Sequence, residues 1–132
     1  MKEFNAESGS SPKYGDCKMI NGNILADLPD AAGSEQFELL VSLHGVRIER
    51  IVSQGQATPA GQWYDQDWQE WVLLLQGEAL VQLEGECEPR HLGPGDWLNL
   101  PPRCRHRVQW TPPDRVTVWL ALHIPVDAEE GE

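Results

Sequence analysis

Cysteine is scarce in this chain. The three cysteines, Cys17, Cys87 and Cys104, are odd in number, and no two of them form a Cys-x-x-Cys pair. A disulfide framework needs paired cysteines, and structural zinc sites usually draw on closely spaced ones. The sequence therefore argues against both, and it predicts reduced thiols in a cytoplasmic protein.

Positive charge is scarce as well. Lysine and arginine number 10 against 21 aspartates and glutamates, which gives a net charge of -11. A surface this acidic repels phosphate backbones and anionic lipids, so we expect no nucleic acid and no membrane as partner. No apolar run approaches the roughly 18 residues of a membrane span. The first residues also lack the charged-then-apolar pattern of a signal peptide.

Familiar catalytic signatures are missing too. The sequence contains no nucleophile elbow, no phosphate-binding loop and no glycine-rich dinucleotide fingerprint. Any reaction that the protein catalyses must therefore depend on groups outside these motifs.

Short apolar runs separated by glycine and proline are abundant. Turn sequences such as Gly93-Pro94-Gly95 punctuate them. Many short strands joined by tight turns are typical of an all-β sandwich or barrel. We predict strands over residues 46–53, 63–68, 71–76, 79–84, 87–92, 97–100, 106–110 and 115–124. Residues 19–28 could form a further edge strand that adds to a sheet or to a partner subunit.

One segment, residues 34–44, is predicted to be a short helix that precedes the barrel. Ser34 is a good N-cap, and apolar positions recur at one-face helical spacing from Phe37 to His44. Gly45 is the expected stop. His44 would then lie in the last turn, where a partial positive charge is favourable.

The predicted domain organisation is simple. Residues 1–18 are polar and are expected to form a flexible arm, and residues 127–132 an acidic tail. Between them, residues 19–126 form a single domain whose barrel covers about 46–124.

Two motifs in this region resemble those of the cupin superfamily. Glu70 is followed by six residues and Gly77, as in the second half of the first cupin motif. Gly95, Pro101 and His106 fall at the spacings of the second motif. The resemblance covers about residues 46–123 and implies a double-stranded β-helix, which is a jelly-roll barrel.

The sequence departs from the family pattern where metal ligands are usual. The two histidines of the first motif would fall at Trp63 and Asp65 or, with the shorter spacing, at Tyr64 and Gln66. In the second motif, Trp110 stands where asparagine is usual. A glycine position in the same motif is occupied by an arginine.

The resemblance implies a divalent metal, with Asp65, Glu70 and His106 as its ligands. Imidazole and carboxylate ligands converging from neighbouring strands suit iron, manganese or zinc, and a harder site could hold magnesium. Tyr64 and Gln66 would orient a small organic acid or sugar derivative for catalysis. Cupins of this kind include dioxygenases, isomerases and decarboxylases, in which the metal acts as a Lewis acid or oxygen-binding centre.

A metal-free barrel is the alternative. Its cavity, lined by Trp63, Trp110 and His123, would bind or sense a small molecule without catalysis. Asp65 and Glu70 would then lie at a solvated cavity mouth, and His106 would be hydrogen-bonded to one of them. The lost histidines favour this alternative, whereas the retained Glu70 and His106 favour the metal site.

Arg103, Arg105 and Arg107 alternate with other residues and would share one strand face, opposite His106. They could bind a carboxylate or phosphate, but pairing with the many acidic residues is the favoured interpretation. We also expect a homodimer that forms through edge strands.

Overall fold

The computed structural model describes residues 19–126, which contain eight β-strands and no helix. The strands are β1 (Gln36–Leu43), β2 (Val46–Ser53), β3 (Gln69–Gln76), β4 (Ala79–Leu83), β5 (Arg90–Leu92), β6 (Trp97–Leu100), β7 (His106–Trp110) and β8 (Thr117–Ile124). The prediction of an all-β fold is thereby confirmed.

The strands form two antiparallel sheets. The larger sheet has the order β1-β2-β8-β3-β6, and the smaller has the order β5-β4-β7. Partners directly opposite in an antiparallel pair point to the same face. The pairs Glu70↔His123, Glu70↔Leu100 and Val72↔Ala121 therefore place these five side chains on one face of the larger sheet.

This inner face and the inner face of the smaller sheet enclose the core. Alternate residues of β3, β6 and β8 are buried, as expected where one face of a strand packs and the other does not. The buried cluster consists of Val72, Leu74, Ala79, Val81, Leu92, Leu98, Leu100, Trp119 and Ala121.

The outer face of β2 is covered by the chain that precedes β1. Arg50 is 7% exposed there, and its guanidinium donates hydrogen bonds to the carbonyls of Ile24 and Ala26 at 3.0 and 2.8 Å. Glu38 supplies the matching negative charge. A buried arginine needs such partners, and these contacts hold the preceding segment against the sheet. That segment contains turns and no strand, so residues 19–28 do not add an edge strand to the sheets of this chain.

The helix predicted over residues 34–44 is also wrong, because this segment is strand β1. It pairs with β2 through the two-residue turn His44-Gly45, whose φ angles are +53° and +82°. Two positive φ values are the signature of the type I′ turn that matches strand twist. The glycine interpreted as a helix stop is a hairpin turn residue.

The strands predicted at 97–100 and 106–110 agree with β6 and β7 in their bounds, and most of the others agree within a few residues. The strand containing Pro89 lies at a sheet edge, as predicted, but is shortened to β5. The segment 63–68 forms no regular strand and contributes one bridge, at Tyr64. The predicted arm, 1–18, and tail, 127–132, lie outside the described residues.

Within residues 19–126 the structure contains no helix long and apolar enough to cross a membrane. Cys87 is exposed and Cys104 is partly buried, and both are free thiols.

Candidate functional site

A cavity of about 160 Å³ opens between the two sheets. Its walls are mainly apolar, and its polar lining consists of glutamate, histidine, tyrosine and glutamine side chains. The lining residues include Glu35, Phe37, Glu49, Ile51, Tyr64, Gln66, Glu70, His106, Val108, Trp119 and His123. Concave, mostly apolar cavities with a few convergent polar groups are typical of small-molecule sites.

Glu70 is the acidic group most deeply placed in this cavity. It is the second residue of β3, faces inward between β6 and β8, and is 8% exposed. Burial raises the pKa of its carboxyl group, and the nearby His123 and His106 partly oppose this rise. Glu70 is therefore better able to carry a proton near neutrality than a surface glutamate.

His106 faces Glu70 from the opposite sheet. It is the first residue of β7 and is 7% exposed. Its Nδ1 donates a hydrogen bond of 2.9 Å to the carbonyl of Cys104, so the neutral ring leaves Nε2 as an acceptor. This Nε2 lies 3.8 Å from Oε1 of Glu70, beyond hydrogen-bond distance.

Tyr64 and His106 share the inner face through a single antiparallel bridge. Their backbones exchange two N–H···O bonds of 2.7 and 3.1 Å, and their rings stack with centroids 5.4 Å apart. Burial and the negative charges of Glu35 and Glu70 raise the pKa of the Tyr64 hydroxyl. Gln66, two residues further along, also lines the cavity.

Because Tyr64 and Gln66 face inward, Trp63 and Asp65 do not line the cavity. Asp65 instead forms ion pairs with Arg103 at 3.2 Å and Arg105 at 3.9 Å. The Arg105 guanidinium lies 5.5 Å from the centre of the Trp63 ring. Asp65, predicted as a metal ligand, is thus bound in a surface network of ion pairs.

The other two residues predicted for the pocket differ in their placement. Trp110 is 37% exposed and is absent from the cavity walls. His123 lines the cavity, and both of its ring nitrogens are engaged: Nδ1 accepts from Trp68 Nε1 at 3.0 Å, and Nε2 donates to Glu49 at 2.9 Å.

Sequence reasoning missed Glu35 and Glu49 as cavity residues. Glu49 lies two residues before the inward-facing Ile51 on β2, a correctly predicted strand. Side chains two residues apart on a strand share a face, so this periodicity could have identified Glu49. Glu35 belongs to the segment 34–44, for which the sequence predicts a helix and the structure has none. It accepts a hydrogen bond from Ser53, and burial raises its pKa despite this bond.

Solved structures of other proteins share this architecture. One is a protein from Ralstonia eutropha JMP134 provisionally described as a mannose-6-phosphate isomerase. It is 48% identical, with a TM-score of 0.77, and the match covers 80% of this chain and 98% of that one. No protein-family model and no curated protein matches the chain.

Two more distant structures carry the family name. A cupin superfamily protein from Desulfitobacterium hafniense DCB-2 is 17% identical, with a TM-score of 0.65, covering 83% of this chain and 94% of that one. A cupin family protein with a double-stranded β-helix fold, from Methanocaldococcus jannaschii, is 20% identical, with a TM-score of 0.59, covering 82% and 94%. The chain belongs to the cupin superfamily. At these lower identities the likeness of the two structures concerns the fold alone, and it fits a jelly-roll arrangement of the eight strands of this cupin.

The residues of this cupin do not fit the metal site that the family resemblance implies. Of the three predicted ligands, Asp65 faces away, and only Glu70 and His106 converge. His123 has no free ring nitrogen to replace the missing ligand. Among residues 19–126 no group of three or more His, Cys, Asp or Glu side chains is arranged to hold an ion. Zinc sites rest on three or four protein ligands, and non-haem iron sites on three.

Proposed function

We propose that this cupin is a small-molecule-binding protein whose cavity holds its ligand without a metal. The observation that carries the proposal is the composition of the cavity. Apolar walls surround a compact polar set formed by Glu70, His106, Tyr64 and Gln66. Apolar surface supplies affinity in such a site, and the few polar groups fix orientation.

The size of the cavity limits the ligand. A cavity of about 160 Å³ is close to the roughly 150 Å³ of an engineered cavity that binds benzene. We therefore expect a ligand, or the inserted part of one, with about six to ten non-hydrogen atoms. Its polar end would contact Glu70 and His106.

Titration with benzyl alcohol, followed by calorimetry and by the NMR shifts of the Trp119 indole, tests the proposal. Val108 lines the cavity, while its neighbour Gln109 is exposed. We expect Val108→Phe to abolish binding and the matched Gln109→Phe to leave it unchanged. Equal binding to both variants would overturn the proposal, as would absence of binding to the parent protein by benzyl alcohol and by its charged analogues of similar size.

Metal-assisted catalysis is the competing hypothesis, and elemental analysis of the purified protein separates the two. We expect less than a tenth of an equivalent of iron, manganese or zinc after loading with each ion. A near-stoichiometric metal that is lost from a Glu70→Ala/His106→Ala variant would instead establish a metal centre.

An isomerase that works by proton transfer is a second candidate function. It is favoured by the facing pair of Glu70 and His106 and by the provisional description of the 48% identical protein.

In such a reaction the Glu70 carboxylate removes a proton from the carbon beside a carbonyl group. A protonated His106 gives its proton to the carbonyl oxygen, which forms an enediol. The protonated Glu70 then delivers its proton to the neighbouring carbon, and His106 recovers a proton from the second enediol hydroxyl. A carboxyl group whose pKa is raised suits the role of base.

The charge of the cavity bears on which carbonyl compound could react. No arginine or lysine belongs to the cavity walls that the structure describes, so a phosphate group there would lack a cationic partner. An uncharged probe such as dihydroxyacetone is therefore the better first substrate than mannose 6-phosphate. We expect deuterium incorporation from D₂O into dihydroxyacetone, observed by NMR, to fall about a hundredfold or more in Glu70→Gln. The exposed Glu88 offers a matched control, because Glu88→Gln removes the same charge outside the cavity.

A further inference from the structure

The cavity carries three carboxyl groups and no compensating cation. Glu35, Glu49 and Glu70 line it, and no lysine or arginine does so among the described residues. Glu49 is hydrogen-bonded to His123 and Glu35 to Ser53. Neither of these partners bears a fixed positive charge, so no described cavity residue offsets the negative charge of the carboxyl groups when they are ionised.

The ring of His106 supplies a second and independent indication of a ligand. The side chain is nine-tenths buried and lines the cavity, and Nδ1 is fixed by the carbonyl of Cys104. In the described part of the chain Nε2 has no hydrogen-bond partner, and its nearest acidic neighbour is Oε1 of Glu70 at 3.8 Å. Nε2 is accessible from the cavity and is not enclosed by protein, so a ligand in the cavity can reach it. A group that donates to both Nε2 and Oε1 would satisfy them together.

We infer that the cavity selects a small organic ammonium ion, whose N–H groups bridge Glu70 and His106 and whose carbon part contacts the apolar walls. This inference rests on the proposed binding function and names the class of its ligand. Several N–H donors on one nitrogen can reach both acceptors, which a single hydroxyl group cannot do. Hydrogen bonds between an ammonium and a carboxylate are also stronger than neutral ones.

The aromatic lining supports a cationic ligand over a neutral one. The rings of Phe37, Tyr64 and Trp119 belong to the cavity walls. The negative face of an aromatic ring attracts a cation that approaches within about 6 Å. An anionic ligand would meet three carboxyl groups and no cation, so we expect carboxylates to be excluded.

An organic ammonium also suits this donor set better than an inorganic ion. A divalent metal needs several ligands at fixed positions, and the carboxyl groups of Glu35 and Glu49 are held by other partners. An ammonium needs two or three acceptors, and the rest of the molecule benefits from burial against apolar surface.

Three ligands of nearly equal size and different charge test the inference: benzylammonium, benzyl alcohol and benzoate. Calorimetry at about pH 7 and low ionic strength gives the three dissociation constants. We expect benzylammonium to bind on the order of tenfold to a hundredfold more tightly than benzyl alcohol. Benzoate is expected to bind most weakly.

Variants locate the source of the preference. Glu70→Gln should reduce the preference for benzylammonium over benzyl alcohol to less than about threefold, and Glu35→Gln should reduce it in part. Glu88→Gln, which removes an exposed charge, should preserve the preference. Circular dichroism confirms that each variant is folded before it is used.

The outcomes distinguish failure of this inference from failure of the proposed function. The cation preference would be refuted if benzyl alcohol or benzoate bound as tightly as benzylammonium or more tightly. The binding function would remain intact if Val108→Phe abolished that binding. A preference for benzylammonium that survives Glu70→Gln and Glu35→Gln would also refute it. Binding of none of the three probes would overturn both.

Discussion

Burial of the Glu70 carboxyl group changes its pKa and makes its ionisation costly for folding. Its side chain lies between two sheets with His106 and His123 as neighbours, and burial nevertheless raises its pKa above 4.5. A surface glutamate would be ionised at neutral pH at no cost. Glu70 is ionised only at the expense of folding free energy, unless a ligand supplies a compensating charge.

This cost predicts how stability depends on pH. Between about pH 4.5 and the raised pKa, Glu70 ionises in the unfolded chain and stays protonated in the folded one. The unfolded state is therefore increasingly favoured as the pH rises through this range. We expect Glu70→Gln to be more stable than the parent at about pH 7, and the advantage to decrease as the pH falls towards 4.5.

Urea denaturation of the parent and Glu70→Gln at a series of pH values measures the difference directly, and other titrating groups cancel in the comparison. Glu88→Gln, at an exposed position, should show no such trend. An advantage of Glu70→Gln that is constant or grows towards low pH would contradict the assigned burial effect.

The residues around Glu70 show where sequence reasoning is limited at this scale. The family spacing identified Glu70 and His106, and both line the cavity. It left two settings for the other positions, Trp63 with Asp65 or Tyr64 with Gln66. The choice depends on one backbone bridge between Tyr64 and His106 in a segment that forms no regular strand. Strand periodicity cannot fix an orientation where there is no strand, because the orientation depends on a tertiary contact.

At the scale of elements, glycines determine where strands can turn. Gly77 joins β3 to β4 with a φ of +93°, in the region that side chains with a Cβ rarely adopt. A Cβ there would also lie 2.5 Å from Oγ1 of Thr117 and 2.6 Å from its Cα. Gly77 is therefore needed both for its backbone angle and for the close approach of β8.

Gly85 allows these two effects to be separated. Its φ is +95°, but a Cβ at this position would meet nothing within 4 Å. We expect Gly85→Ala to cost about 1–2 kcal/mol from backbone strain alone. Gly77→Ala should cost about 3 kcal/mol or more, because the clash with β8 adds to the same strain. Urea denaturation gives both values, and equal losses would show that the contact with Thr117 is unimportant.

The correction at β1 has its cause in the same kind of residue. A glycine after an apolar pattern predicts a helix end, but it also suits the second position of a type I′ turn. The spacing of apolar residues from Phe37 to His44 fitted a helical face, yet Phe37 and Leu39 share a strand face beside Ile51 and Glu49. Pairing with β2 outweighs local preference here, and only the partner strand reveals it. The shorter strands flanked by unambiguous turns, such as β6 and β7, were predictable because no competing pattern was present.

At the scale of the whole molecule, the larger sheet ends at β1, and this edge remains apolar and exposed. Phe37, Leu39 and Leu43 are 54%, 58% and 57% exposed. Edge strands with such side chains readily pair with another strand, since one row of their backbone groups lacks partners. Phe37 also lines the cavity, so the exposed edge and the ligand site are continuous.

The homodimer predicted from the sequence remains a prediction, and we propose that it forms through β1. Antiparallel pairing of β1 with its copy about a twofold axis would pair the outer row of β1 backbone groups, which has no strand partner among residues 19–126. We expect sedimentation velocity at micromolar concentrations to give about twice the chain mass of 14.8 kDa. Leu39→Lys should give a monomer, because an edge lysine opposes strand pairing.

Trp97 provides the matched control, since it is 57% exposed and lies on β6 at the opposite edge of the same sheet. Trp97→Lys should leave the dimer intact. If Trp97→Lys dissociates the dimer and Leu39→Lys does not, the interface lies at β6.

The β1 edge and the cavity share Phe37, whereas Leu39 does not line the cavity. Loss of the dimer in Leu39→Lys should therefore also weaken benzylammonium binding. A monomeric Leu39→Lys variant with unchanged affinity would show that each cavity is complete within one chain. A parent protein that is monomeric at the same concentrations would refute the interface altogether.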